Sequence, residues 1–489
     1  MLPLLKPATA IAADLRAGSY SSRELVEAYA ARIGGIGRSL NAVVALRIEK
    51  ALAEATAADE ARLAGRDRGP LAGVPVTIKD AFDVAGLPST FGHPERAGHC
   101  ASANAVAVAR LVGAGAIVLG KTNVPKDLAD WQSFNAVYGV TSNPWDEGRT
   151  PGGSSGGAAA ALASGLCALE LGSDIAGSIR VPAAYCGVWG HKPTYGIVPM
   201  RGHGLTPFEA PSDILVGGPL ARSAFDLELA LDIIAGGDPG DAAADAWAFA
   251  LPGEPRTKAA QFSVAIVDND QHFPVDGSIR HALAELGDAL EREGAKVDRA
   301  PQLPIGSIEG YELFVTLLRG ATSARFSNVE IDALSTKARG FAPDDASYDA
   351  LMHRGLSQSH RAWLAANDRR QALRQRWRAF FERYDALICP ITATPPFPHM
   401  IGVPKIEQFF MVDGGERPAS DYYYWIGIPS LAHLPATAIP IGATADGLPV
   451  GAQIIGPEFG DVRCIRIAQI IEQSFRGFVA PPRFALPAA

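Results

Sequence analysis

Between Pro151 and Pro193 the chain reads Pro-Gly-Gly-Ser-Ser-Gly-Gly, then an alanine-rich apolar run from Ala158 to Leu169, then Gly-Ser-Asp-Ile-Ala-Gly-Ser-Ile-Arg. No charge interrupts the run, which is too short to cross a bilayer and is best read as a helix buried in a large core. Glycine-rich turns bracket it, and in each turn stands a serine, Ser154 or Ser178. Upstream, the apolar segment Leu71-Ala-Gly-Val-Pro-Val-Thr-Ile78 ends at Lys79-Asp80. A chain that buries such a helix must surround it with other elements.

Those elements alternate. Leu25 to Ile33 reads as a helix opened by Ser21 or Ser22 with Glu24, and Ala45 to Leu63 as a second helix. From Val74 to Ile78 a strand is predicted, then a helix over 105–112, a Gly-Ala-Gly break and a strand over 116–119. The rhythm returns with strand 262–267, an amphipathic helix carrying Ile279, Leu283, Leu286 and Leu290, and a strand near Val297. Further strands are expected at 384–390, 436–441 and 450–455, with a closing helix over 461–475. No linker or repeat divides the chain. It reads as one α/β domain over 1–489, with a catalytic core at about 65–225 and a more helical, Arg-rich insertion at about 300–380.

Lysine at the end of a buried strand loses hydration, which lowers its pKa and can leave a neutral amine able to deprotonate a serine. The bland alternative is a solvated strand end or an ion pair with Asp80. Ser178 follows Ala-Gly in a turn whose backbone N–H groups can converge on an oxyanion; it could equally be a helix cap. Gly277-Ser-Ile-Arg280 repeats the same string on an amphipathic helix, where Ser278 is a cap, so the string alone carries little. The Gly-rich loop also matches G-x-S-x-G on Ser154 and on Ser155, which would suit an α/β-hydrolase-type esterase, but that reading leaves Lys79 unexplained.

Taken together these segments closely resemble the amidase signature family. The resemblance rests on Gly73-Val-Pro-Val-Thr-Ile-Lys-Asp80, Gly120-Lys-Thr-Asn123, Asn143-Pro-Trp-Asp146, Gly152 to Gly157, and Gly172-Ser-Asp174 with Ala176-Gly-Ser-Ile-Arg180. Lys192-Pro-Thr194, Gly218-Pro-Leu-Ala-Arg222 and Asp446-Gly-Leu-Pro-Val-Gly451 extend it. It implies a large mixed central β-sheet surrounded by α-helices. It also implies a triad of Ser178 as nucleophile, Ser154 as bridge on a cis peptide and Lys79 as base, with neither metal nor cofactor. The family's oxyanion hole maps to the backbone N–H groups of Ile175, Ala176, Gly177 and Ser178, and Ser155, Asp174 and Arg180 become supporting residues. Two positions depart from the pattern, His433 where glycine is usual and Lys126 where glutamate is common. Substrate selection is expected in loops 131–138, 199–213 and 310–319 and in the aromatic run from Tyr422. Trp131, Tyr138, Tyr423, Trp425 and His433 are the candidate pocket residues, taken as an apolar wall for a neutral acyl or aryl group.

The expected function is cofactor-independent hydrolysis of a carboxamide, with ester or carbamate as further substrates, through a seryl acyl-enzyme. The alternative is the A subunit of a glutamine-dependent aminoacyl-tRNA amidotransferase. It is set aside because the Ser-Ser-Leu-Asp-Gln string usual there is replaced by Ala210-Pro-Ser-Asp-Ile-Leu-Val. A net charge of −8, from 44 basic and 52 acidic residues, offers no basic footprint for nucleic acid. The partners expected are therefore a small-molecule amide and at most a second copy in a homodimer, without nucleic acid or membrane. Five dispersed cysteines without metal spacing fit reduced thiols and a cytoplasmic location.

Overall fold

The computed structural model describes residues 2–66, 69–204, 211–246 and 249–486, so residues 205–210 of the 199–213 loop lie outside it. Eleven strands make one mixed sheet. From one edge they run Val43–Leu46, Ile117–Thr122, Pro75–Lys79, Leu169–Asp174, Val216–Ala221 and Trp189–Lys192. Ala436–Ala443, Pro449–Ile455, Ala386–Pro390, Ser263–Ile266 and Lys296–Asp298 complete it. Pro75–Lys79 is parallel to both neighbours, whereas the middle of the sheet is antiparallel. Every residue of Pro75–Lys79, Leu169–Asp174 and Pro449–Ile455 is buried, as strands covered by helices on both faces must be. The mixed sheet wrapped by helices is thus the architecture the resemblance implies.

The alanine-rich run forms the helix Gly156–Ala163, buried along its whole length. Its small side chains let it lie directly on the sheet. A β-carbon on Gly157 would sit 2.4 Å from the backbone nitrogen of Asn123, just beyond strand Ile117–Thr122. Helices Ser307–Thr322, Asn328–Ala338, Tyr348–Leu356 and His360–Phe380 fill the Arg-rich stretch.

Some elements differ from the sequence reading. Ala45 and Leu46 belong to an edge strand antiparallel to Ile117–Thr122, and the helix starts only at Ile48, because pairing to a sheet edge overrides weak helical propensity. Strand Val216–Ala221 was hidden by Gly217, Gly218 and Pro219. The aromatic run from Tyr422 is a buried helix, Tyr422–Leu431, despite Gly427 and Pro429 within it. Among the described residues no helix is long and apolar enough to cross a membrane.

Candidate active site

Lys79 is the last residue of its strand, and Ser173 and Asp174 end the parallel neighbour, so both reach the carboxyl end of the parallel segment, where α/β sheets place ligand sites. The Lys79 Nζ lies 2.7 Å from Ser154 Oγ, 2.8 Å from Ser155 Oγ and 3.2 Å from the Ser173 carbonyl oxygen. The peptide Gly153–Ser154 is cis. Ser155 Oγ also donates to the Ser173 carbonyl at 3.3 Å, and the Ser155 N–H donates to the Ser178 carbonyl at 3.1 Å. With its own proton on a carbonyl, Ser155 can only accept from the amine, whereas Ser154 remains able to give its proton to it. Lys79 and Ser154 are wholly buried, and Ser178 at 5% exposure is the member of the set that solvent reaches.

The turn that carries Ser178 is wrapped around Asp174. Its carboxylate accepts from the N–H of Gly177 at 2.8 Å and of Ile179 at 3.1 Å, and from Arg180 Nε and Nη2, each at 3.0 Å. Arg180 in turn donates to the Ile426 carbonyl, Gln453 Oε1 and Ser430 Oγ. Burial works against the Asp174 charge, but the Arg180 guanidinium and the N–H donors outweigh it and hold the carboxyl below its ordinary range. Gly177 has φ +84°, and a β-carbon there would meet Ile426 at 2.8 Å, which excludes larger residues from the turn. The Gly177 N–H expected at the oxyanion hole is therefore occupied by Asp174. Those of Ile175, Ala176 and Ser178 have no partner among the described residues.

Burial pushes the Lys79 amine down to about 7, partly opposed by Asp174 and Glu170. Glu170 is a residue the sequence reading missed. It is fully buried beneath Lys79, accepts hydrogen bonds from Thr77 and Thr122, and is pushed up by burial to about 8. Its signal was present, an acid between two leucines in an apolar strand. His203, also missed, has Nε2 2.9 Å from Ser173 Oγ, and burial pushes it down to about 3, so it is neutral.

The five candidate pocket residues do not form one wall. Trp131 donates from Nε1 to the Ala176 carbonyl at 3.0 Å, and its ring lies 4.9 Å from that of Tyr423, so these two adjoin the Ser178 turn. Trp425 points the other way, fully buried, with its indole N–H on the Phe273 carbonyl. His433 pairs with Asp213 at 3.1 Å and Arg370 at 3.1 Å and stacks on Tyr195. The Tyr138 carbonyl is held by Asn41. Nor is the Tyr423 side apolar: Arg319 donates to its hydroxyl at 2.8 Å, and Lys405 Nζ stands 3.5 Å over the Trp131 ring.

The sequence pattern described as Amidase matches residues 24–465. The A subunit of the Chromohalobacter salexigens glutamyl-tRNA(Gln) amidotransferase is 32% identical, covering 98% of this chain and 98% of its own. Among solved structures, a vestigial protein complex that bears on the evolutionary origins of an s-triazine catabolic enzyme matches with TM-score 0.80 at 30% identity, over 96% of this chain and 99% of that one. The A subunit of the Thermotoga maritima glutamyl-tRNA(Gln) amidotransferase matches with TM-score 0.76 at 25% identity, over 98% of each chain.

These relatives overturn two expectations. A carboxamide hydrolase acting by itself gives way to the alternative, since similarity along the whole chain outweighs one short missing string. The expected partners, a small-molecule amide and at most a second copy of the chain, without nucleic acid, fall with it. In the divergent stretch, Asp213 is committed to Arg370 and His433, so the string is replaced by an ion cluster.

Proposed function

Because the chain belongs to the amidase family, enzymes that act on carbon–nitrogen bonds, we propose that it is the A subunit of a glutamine-dependent tRNA amidotransferase. In this role it hydrolyses the side-chain amide of glutamine and supplies the ammonia that amidates a glutamyl-tRNA. The observation that carries the reading is the end-to-end similarity to the A subunits of glutamyl-tRNA(Gln) amidotransferases. The cluster of Lys79 and the glycine-flanked serines is what supports the chemistry.

Neutral Lys79 accepts the Ser154 proton as Ser154 accepts that of Ser178, whose Oγ attacks the amide carbon. The N–H groups of Ile175, Ala176 and Ser178 stabilise the oxyanion, while Asp174 fixes the turn through Gly177. Collapse expels ammonia, which takes the proton back through Ser154. Water then attacks the acyl-Ser178 ester, its proton follows the same route, and glutamate leaves. Glutamine and water are consumed; glutamate and ammonia are formed.

The test is ammonia release from L-glutamine by the full chain, alone and assembled with the other amidotransferase subunits and charged tRNA. Release should depend on Ser178 and vanish in Ser178→Ala. Release from glutamine no faster than in the Ser178→Ala protein, in both settings, would refute the reading.

A further inference from the structure

We propose that Lys405 and Arg319 form a carboxylate subsite that holds the acidic end of the substrate beside the Ser178 turn. This rests on the glutamine reading and extends it by naming what recognises the end of glutamine remote from the scissile amide.

The two cations come from distant parts of the chain, Arg319 from helix Ser307–Thr322 and Lys405 from the short turn Lys405–Glu407. They converge on one aromatic pair. Lys405 Nζ is 3.5 Å from the centroid of Trp131 and 5.2 Å from that of Tyr423. The Arg319 guanidinium is 5.4 Å from the Tyr423 ring and donates to the hydroxyls of Tyr423 and Tyr348. Trp131 in turn donates to the Ala176 carbonyl, so the pair lies one ring away from the turn that carries Ser178.

Among the described residues no carboxylate pairs with either of these half-buried cations, although most of the fully buried cations here have one or donate to carbonyl oxygens. Arg319 Nε is buried without a partner. A cation–π contact orients a charge without neutralising it, and a half-buried charge without a counter-ion remains able to take an anionic partner. The rim continues the pattern: Arg325 donates to the Asp127 carbonyl, while the Asp127 carboxylate is taken by His93. The same positive field, outweighing burial, draws the Tyr423 phenol down to about 8. A substrate carboxylate completes this arrangement, with the planar guanidinium and the ammonium as its two donors.

The experiment compares L-glutamine, glutaramate and butyramide as substrates of the full chain and of its Lys405→Met and Arg319→Met variants, with glutarate as a non-reacting probe. Glutaramate keeps the carboxylate of glutamine and lacks its amino group; butyramide lacks both. Each variant should lower the ratio of glutaramate to butyramide turnover about ten-fold or more, as expected for a lost charged hydrogen bond. Glutarate should raise the melting temperature of the parent and lose that effect in both variants, a readout that needs no turnover and is referenced to each variant's own melting temperature. Glutamine turnover with an unchanged ratio in both variants overturns the subsite and leaves the glutamine reading standing. Turnover of glutaramate but not of glutamine overturns the glutamine reading and leaves the subsite standing. No glutarate shift in the parent overturns the subsite.

Discussion

Lys79→Met tests whether the buried amine is neutral. The ordinary lysine value of 10.5 and the buried value of about 7 mean that keeping the proton on Lys79 in the folded protein costs about 5 kcal/mol. Between these values the unfolded chain binds a proton at Lys79 that the folded one does not. Stability therefore rises with pH, by about 1.4 kcal/mol per pH unit, and below about 7 the contribution is flat and fully unfavourable. Methionine removes this slope whatever else it does to packing or to the serine hydrogen bonds. The gap between Lys79→Met and parent should thus shift by about 2 kcal/mol in favour of the parent from pH 7.5 to 9.0. Urea unfolding followed by tryptophan fluorescence at several pH values reads it. A parallel assay is the rate at which a fluorophosphonate labels Ser178, which should climb about ten-fold per pH unit up to about 7 and then level. A parent-to-variant gap that is the same at both pH values, with labelling indifferent to pH below 7, would mean that Lys79 stays charged and cannot be the base.

Other consequences follow from the same geometry. Ser154→Ala should leave slight turnover where Ser178→Ala leaves none, and peptide mass spectrometry should find the fluorophosphonate on Ser178; a label on Ser155 would contradict the relay. Asp174→Asn leaves Arg180 buried without its counter-charge and should cost about 3–5 kcal/mol, with Asp174→Asn/Arg180→Met recovering part of the loss; equal and additive losses in denaturant unfolding would refute the pairing. Trp425→Ala should cost about 3–5 kcal/mol and leave the ranking of amide substrates as it was, whereas Tyr423→Phe should change the ranking with little loss of stability. Reversal of these two outcomes in kinetics and melting would place the pocket on the wrong face of the helix.

The chain's own pattern singled out Lys79, Ser154 and Ser178 as candidates because each broke a local rule, while the roles proposed for them came from the family resemblance. Lys79 closes an apolar strand, and Ser154 and Ser178 stand among glycines around an uncharged helix; such anomalies are visible without neighbours in space. The alternation of strands and helices likewise made an α/β sheet legible, its mixed character being implied only by the family resemblance, while Val216–Ala221 and Trp189–Lys192 escaped because paired neighbours, not propensity, make them strands. Glu170 was in view but uninterpreted, since an acid gains meaning only when burial sets it beneath an amine.

The pocket was decided elsewhere. Tyr423 and Trp425 are two residues apart on a helix that turns about 100° per residue, so one ring meets Trp131 and the other the core. Arg319 ends the 310–319 stretch expected to select substrate, which is part of a helix and not a loop, and Lys405 carried no signal of its own; the two meet only because the fold brings that helix and a distant turn over the same two rings. Sequence alone determines features that act within a strand or a turn. Charges that converge from remote segments are decided by tertiary packing, because their energies depend on distance and burial, which no local pattern contains.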